Sequence, residues 1–299
     1  MDSGFRRNDA TRMDEKPNMN NPSTIDKLAM RQAFEKAAAT YDEAAALQRE
    51  AGQRLFERLD FLRDFQPEII VDLGAGTGHF THALLQKFKK ANVIAFDVAQ
   101  AMLKKAKKRG TFFHRPTLLC GEIEKLPLKD KSVDLLFSNF CLQWCTDLDQ
   151  ACQEFQRVLK PNAILLFTTF GPDTLKELRQ SWLQADNNPH VNSFADLHDI
   201  GDALLRNGLA NPVMDMEIFT LHYASVRDLM RELKMLGAHN VQSARSLQLT
   251  GKSHLQVMER HYETFRCDGQ LPATYEVIYG HATAHPRQSY SVPFNPKIL

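Results

Sequence analysis

The residues with the most specific chemistry stand in one short stretch. Residues 71–78 read VDLGAGTG, an acid followed by glycines at alternate positions, Gly74, Gly76 and Gly78. The apolar EII runs into it and HFTHALLQKF, a helical pattern, follows. Strand, glycine turn and helix together bring bare backbone to a ligand at the end of a parallel sheet. Spacing excludes two nucleotide loops. The dinucleotide fingerprint G-x-G-x-x-G needs a third glycine where His79 stands, and a P-loop needs Lys-Ser or Lys-Thr after its glycines.

G-x-G-x-G after an acidic strand end suits a ligand lying flat on backbone with no pyrophosphate to hold. S-adenosylmethionine (SAM) is such a ligand. Its carboxylate can meet backbone N–H groups near a helix N-terminus, and its ammonium and sulfonium favour Asp72. On this reading the loop of Gly74, Ala75, Gly76 and Gly78 is bare because the methionine end of SAM lies against it. Asp97, in IAFDVAQ, follows Gly78 by 19 residues (97 − 78). That is near the position from which nucleotide-binding sheets hold a ribose hydroxyl pair. It is also where an acid would cap the following helix, whose first residues supply Val98 and Met102 as neighbours of the ligand. In CGEIEKLPL, Glu122 is placed to accept from the adenine amino group and Ile123 to pack on the ring.

These residues need a sheet to hold them. EIIVDLG, NVIAFDV, TLLCGE, SVDLLFSNF and AILLFTTF read as successive strands, with helical stretches between. Alternation of this kind predicts an α/β, doubly wound, mostly parallel sheet. Ahead of it, residues 25–66 are helical, with Leu47, Ala51, Leu55 and Leu59 on one stripe and a break near TYD. Thr146 is expected to cap the helix DLDQACQEFQRVL, and Thr174 with Glu177 to form a capping box. After the SAM-binding core at 67–175, residues 176–285 supply more helices and two strands, VMDMEIFTLHYAS and ATYEVIYGHAT. The strands complete seven at the sheet edge, and the helices form a lid over the strand ends. Residues 1–24 and 286–299 are expected to be tails, with Met13 and Met19 as alternative starts.

Composition narrows the function classes. The chain has 299 residues, 43% of them hydrophobic, enough for a full core. A formal charge of +1 gives no global field for nucleic acid or membrane binding. No apolar run approaches the roughly 18 residues of a membrane span. The polar N-terminus lacks the apolar segment of a secretory signal. Five cysteines without a CxxC or a completing His or Cys pair predict free thiols in a reducing cytosol and no metal site.

VDLGAGTG with FD and GEIEKLP resembles the class I SAM-dependent methyltransferases over roughly residues 60–175. In such proteins the end of the fourth strand, here SNFCLQW, lines cofactor and substrate, which adds Asn139, Leu142, Gln143 and Trp144. The flanks are more specific. FEKAAATYDEAAALQREAGQRL, NFCLQWCTDL, TTFGPDTLKELRQSW, HVNSFADLHDIGDAL, LKMLGAHNV and YEVIYGHA resemble the malonyl-[acyl-carrier protein] O-methyltransferase family of biotin synthesis over about residues 28–282.

The resemblance implies methylation of the free carboxylate of a malonyl thioester on acyl-carrier protein, or on malonyl-CoA. A carboxylate is ionised at neutral pH and needs no general base. Recognition of it favours an arginine, which offers two parallel donors. The family pattern puts that arginine at Arg245, with His239 as an assistant. Tyr41, in TYD, is placed to close over SAM and donate one hydrogen bond. The carrier protein is acidic, so LLQKFKK, LKKAKKRG and the lid cations Arg227, Arg231 and Lys234 are candidates for steering it. The same motifs leave other readings open. They are a methyltransferase for a quinone precursor or small acid, a related arginine-hydroxylating assembly factor, and a SAM sensor without turnover.

Overall fold

The computed structural model describes residues 25–62, 64–110, 115–186, 188–238, 240–241 and 251–285. The expected tails, His239 and Arg245 lie outside them. The N-terminal segment forms α1 (Lys27–Ala37), α2 (Tyr41–Ala44) and α3 (Ala46–Glu57). Asp26 caps α1 by accepting from Ala29 N at 2.9 Å. On α3 and the 3-10 turn after it, Leu47, Ala51, Leu55 and Leu59 are all buried. Each buried leucine there contributes about 1.5–3 kcal/mol, which holds α3 to the sheet.

Strands and helices then alternate: β1 (Ile69–Leu73), α4 (His79–Lys87), β2 (Asn92–Asp97), α5 (Gln100–Arg109), β3 (Thr117–Cys120), β4 (Val133–Asn139), α6 (Leu148–Val158) and β5 (Leu159–Phe170). The C-terminal part adds α7 (Lys176–Leu183), α8 (Leu197–Arg206), β6 (Leu209–Tyr223), α9 (Val226–Met235), α10 (Lys252–Tyr262) and β7 (Leu271–Ala284). The sheet order is β3-β2-β1-β4-β5-β7-β6. β1 to β5 run parallel, while β7 is antiparallel to β5 and to β6. The chain moves outward from β1 to β3, then returns to β4 on the other side of β1. The ends of β1 and β4 are therefore the switch point at which such sheets bind ligands.

Period-two burial sorts the strands between two layers. Ile70, Val93, Leu135, Phe137 and Leu166 pack with α3, α4, α7, α9 and α10. Val71, Leu73, Phe96, Leu136 and Phe167 pack with α6 and α8. α8 thus departs from the expected lid. Its Ile200, Ala203 and Leu204 cover the sheet beside Ala151, Cys152 and Phe155 of α6.

Two expected caps are replaced by tertiary partners. Asp147, not Thr146, caps α6 by accepting from Gln150 N at 2.9 Å. Thr146 instead donates its N–H and hydroxyl to buried Glu124. The capping box is not made either. Glu177 accepts from Thr274 of β7, and the Thr174 hydroxyl exchanges hydrogen bonds with the backbone of Glu276.

Candidate active site

The loop between β1 and α4 forms the floor of the site. All three glycines have left-handed backbone, with φ of 71° at Gly74, 53° at Gly76 and 84° at Gly78, a region costly to residues with a Cβ. Their surroundings differ. A Cβ on Gly74 would lie 2.7 Å from Cys141 Cβ, and one on Gly78 would lie 2.6 Å from Ala106. Those two positions are bare because the protein itself is close. Gly76 alone faces space, its nearest neighbours being Gly74 O and Tyr41 Cε1 at 4.0 Å.

The loop's donors are mostly committed. Gly74 N and Ala75 N both donate to Phe96 O at 2.8 and 2.9 Å, and Gly78 N donates to Ala75 O at 2.9 Å. Gly76 N donates to Asp97 Oδ2 at 2.9 Å. The N–H groups of Gly74, Ala75, Gly76 and Gly78 are thus already engaged within the protein.

Two acids lie beneath the loop. Asp97 is buried, and its Oδ1 accepts from Ala99 N at 2.8 Å. It thereby acts as a helix-start acid and a loop clasp, with a second lone pair left on each oxygen. Burial raises it to about 6, against the lowering effect of those backbone bonds. Asp72 is buried at the end of β1 and accepts from the Thr81 hydroxyl. Burial raises it to about 7, with the charge of Asp97 adding to the rise and the Thr81 bond opposing it.

The cleft beside Asp97 has walls from both ends of the chain, Leu236 and Ala238 among them. Met30 and Phe34 of α1, Tyr41, Gln48, Gly74, Gly76, Asp97, Val98, Met102, Glu122, Ile123, Asn139, Cys141, Gln143 and Trp144 line it. Its empty space, with the open mouth included, is about 830 Å³. Phe34 meets Trp144 edge to face at 5.1 Å. Burial pushes the Cys141 thiol up, so it is a neutral wall and not a nucleophile. Burial, then Asp97 and Asp42, push the Tyr41 phenol up in the same way. On the other side of Gly74 and Gly76 the space continues past Asp72, Ala75 and Thr77 to Arg49, His79 and Arg109. The His79 ring is held below its ordinary value by burial and by those two arginines.

A third space adjoins the cleft, the two sharing Gln48, Trp144, Phe170, Leu236 and Ala238 as lining. Its lining is apolar apart from Gln48, Thr174, Asn192, Glu232 and Tyr275. Gln48 lines all three spaces, and its buried Oε1 has no hydrogen-bond partner among the described residues. Its backbone oxygen accepts from Asn139 Nδ2 at 2.9 Å, which fixes α3 to the end of β4.

Of the sequence candidates, Tyr41, Asp72, Gly74, Ala75, Gly76, Asp97, Val98, Met102, Glu122, Ile123 and Asn139 come together around the joined spaces. Gln143 and Trp144 join them. Gly78 and Leu142 do not. Gly78 packs on α5, and Leu142 is buried in the layer beneath the sheet. Glu122 is partly exposed and lies 3.5 Å from Lys27 Nζ. Sequence reasoning missed Met30, Phe34, Gln48 and Arg49. Met30 and Phe34 had a weak signal, an i,i+4 apolar pair on the first helix.

SAM fits this donor set. Gly76 leaves a cradle that a side chain would fill, the orphaned Gln48 oxygen awaits a donor, and buried acids flank the glycine loop on two strands.

A doubly wound sheet of this order, with a glycine loop and buried acids at its switch point, defines a class I methyltransferase. A methyltransferase domain model matches residues 71–167. The YcgJ protein of Bacillus subtilis superposes with a TM-score of 0.57 at 15% identity, covering 77% of this chain and 97% of that one. Phosphoethanolamine N-methyltransferase 2 of Haemonchus contortus, solved in complex with S-adenosyl-L-methionine, gives 0.51 at 15%, covering 86% and 60%. These two likenesses establish the fold. Sequence relatives are far nearer. A malonyl-[acyl-carrier protein] O-methyltransferase of Methylovorus sp. (strain MP688) is 49% identical over 264 residues, 86% of this chain and 89% of the relative. One from Nitrosospira multiformis is 46% identical over 286 residues, 90% and 93%. The chain belongs to the malonyl-[acyl-carrier protein] O-methyltransferase family, and its cofactor is S-adenosylmethionine.

Proposed function

We propose that the chain methylates the free carboxylate of a malonyl group carried as a thioester on acyl-carrier protein, in the cytoplasm. The cofactor supplies a methyl group on a positively charged sulfur. The accepting carboxylate is ionised well below pH 7, so no residue need remove a proton. Placement is the chain's main task, and it can lower a barrier by about 7–11 kcal/mol in favourable cases.

The observation that carries this reading is that the cofactor cleft and the inner chamber adjoin, sharing Gln48, Trp144, Phe170, Leu236 and Ala238 as lining. Asp97 lines the cleft and not that chamber. We assign Asp97 to the ribose hydroxyls, and Glu122 with Ile123 to the adenine. Asp72 and the Gln48 oxygen face the ammonium. Because the loop N–H groups are taken, we assign the cofactor's carboxylate to Arg49. Its Nη1 donates to Asp42 O at 2.6 Å, and its guanidinium keeps further donors at the cavity wall. Tyr41 closes over the cleft. Arg245, with His239, is our assignment for the acceptor's carboxylate. The described lining of the inner chamber contributes neutral polar groups and Glu232 but no arginine or lysine.

Methyl-labelled SAM incubated with malonyl-carrier protein tests the proposal by intact mass. Malonyl-CoA and acetyl-carrier protein run in parallel. One added methyl on the malonyl species, absent from the acetyl control, is expected. SAM binding without transfer to either malonyl thioester would sink the acceptor assignment.

A further inference from the structure

We propose that the outward face of α9, with the start of α10, is the surface on which the acidic carrier protein docks. The inference rests on the acceptor assigned above. α9 has two lined faces. Inward, Glu232 and Leu233 line the inner chamber. Outward, Arg227, Met230, Arg231 and Lys234 line an open groove with Lys252, Leu255 and Gln256 of α10. A helix is about 10 Å across, so one helix thickness separates groove from chamber. A carrier seated in the groove holds the root of its flexible arm beside the chamber where the acyl group must arrive.

Charge complementarity names the occupant. The groove lining has four cations and no acid, on a chain with a net formal charge of only +1. All four cations are exposed. Arg227 pairs with Glu259 at 2.5 Å and Arg231 with Asp228 at 2.6 Å. Such solvent-exposed pairs are worth about 0–1 kcal/mol and exchange readily for a partner's carboxylates. Among the described residues, no ion pair engages Lys234 or Lys252. Met230 and Leu255, half-buried against the core, give the groove an apolar floor. An apolar centre inside a charged rim is the anatomy of a protein interface, and the charge steers the encounter.

The rival basic surface is α5, with Lys104, Lys105, Lys107 and Lys108. Its Met102 lines the cofactor cleft, so a carrier bound there would sit over the wrong end of the site. Lys105 is also engaged, donating to Ala39 O at 3.1 Å.

The test compares steady-state methylation of malonyl-carrier protein by the parent, Arg227→Glu/Arg231→Glu, Lys234→Glu/Lys252→Glu and Lys104→Glu/Lys108→Glu. Both groove variants are expected to raise KM about tenfold with kcat within twofold. Their SAM affinity should stay unchanged by calorimetry, and the dependence of KM on salt should flatten. The Lys234→Glu/Lys252→Glu pair breaks no ion pair among the described residues, so it separates docking from folding. The α5 variant should match the parent. Unchanged KM in both groove variants, or an equal rise in the α5 variant, overturns the surface while leaving the reaction standing. A parent that transfers no methyl to malonyl-carrier protein overturns the reaction, and the surface with it.

Discussion

Asp42 accepts a hydrogen bond from Arg109 Nη2 at 2.6 Å, joining the first residues of α2 to the last of α5. The same carboxylate accepts from the Thr77 hydroxyl, and Arg109 Nε donates to Thr77 O at 2.8 Å. Two chain segments, α2 and α5, are thus latched on the glycine loop. The pair is partly exposed, at 35% and 41%, so its direct worth to stability is small, about 0–1 kcal/mol. Its effect should appear in the loop's order. Asp42→Ala is expected to weaken SAM binding about tenfold, or ~1.4 kcal/mol, while the melting temperature falls by only a few degrees. Calorimetric affinity equal to the parent's would remove the latch from the binding machinery.

Asp72 should make the protein pH-sensitive in a definite direction. Its folded value of about 7 lies above the ordinary 3.8 of an aspartate. Between those values the folded state holds the proton more tightly than the unfolded chain, so this group's contribution to stability falls as pH rises. Asp72→Asn keeps an acceptor for Thr81 and removes that cost. The unligated variant should melt above the parent at pH 8, with the difference shrinking as pH falls toward 5. SAM brings positive charge to Asp72, so parent affinity should drop up to tenfold per pH unit below about 7, and the variant should lose that dependence. A variant whose binding follows the parent's pH profile would refute the role.

The glycines should separate in a melting and binding experiment. Gly78→Ala puts a methyl against Ala106 in left-handed backbone, which should cost about 1–3 kcal/mol from overpacking alone. Gly74→Ala meets Cys141 and should behave similarly. Gly76→Ala meets no atom closer than 4.0 Å, so it should stay folded and lose at least tenfold in SAM affinity. Retained affinity in that variant would show that the cradle is not used.

Arg49 can be tested with two ligands. S-adenosylhomocysteine carries an amino-acid end and 5′-methylthioadenosine does not. Arg49→Gln should weaken the first about ten- to hundredfold, the range of a charged hydrogen bond of ~1.5–3 kcal/mol. Binding of the second should be unaffected. Equal losses for both ligands would place Arg49 in the fold and not at the carboxylate.

What was legible in the sequence had local causes. The glycine loop, Asp97 and the strands depend on turn chemistry and periodicity within a few residues, and the structure places them accordingly. Gln48 and Arg49 follow Leu47 on the helix and read as the polar flank of a buried stripe. Only packing of α3 beside β4 turns them to the cavities. Thr146 and Glu177 looked like capping residues, but Glu124 and Thr274, brought in by the tertiary fold, take their hydrogen bonds. α8 has the same amphipathic look as the lid helices, and only the position of β6 shows which surface it covers.

The roof of the cleft is a seam between distant parts of the chain. Asp26 N donates to Val241 O at 2.8 Å, the Thr40 hydroxyl donates to Met235 O at 3.0 Å, and Gly237 turns against Ala37 and Ala33. The Thr40 bond alone spans 195 positions. Closing so long a loop carries an entropic cost that these contacts must offset. A cofactor in the cleft lined by Met30 and Phe34 of α1 and by Gly74 and Gly76 would act as a staple across the seam. Amide exchange at residues 26–45 and 235–241 should slow together when it binds. A join between distant parts of the chain would then be one that its own reagent completes.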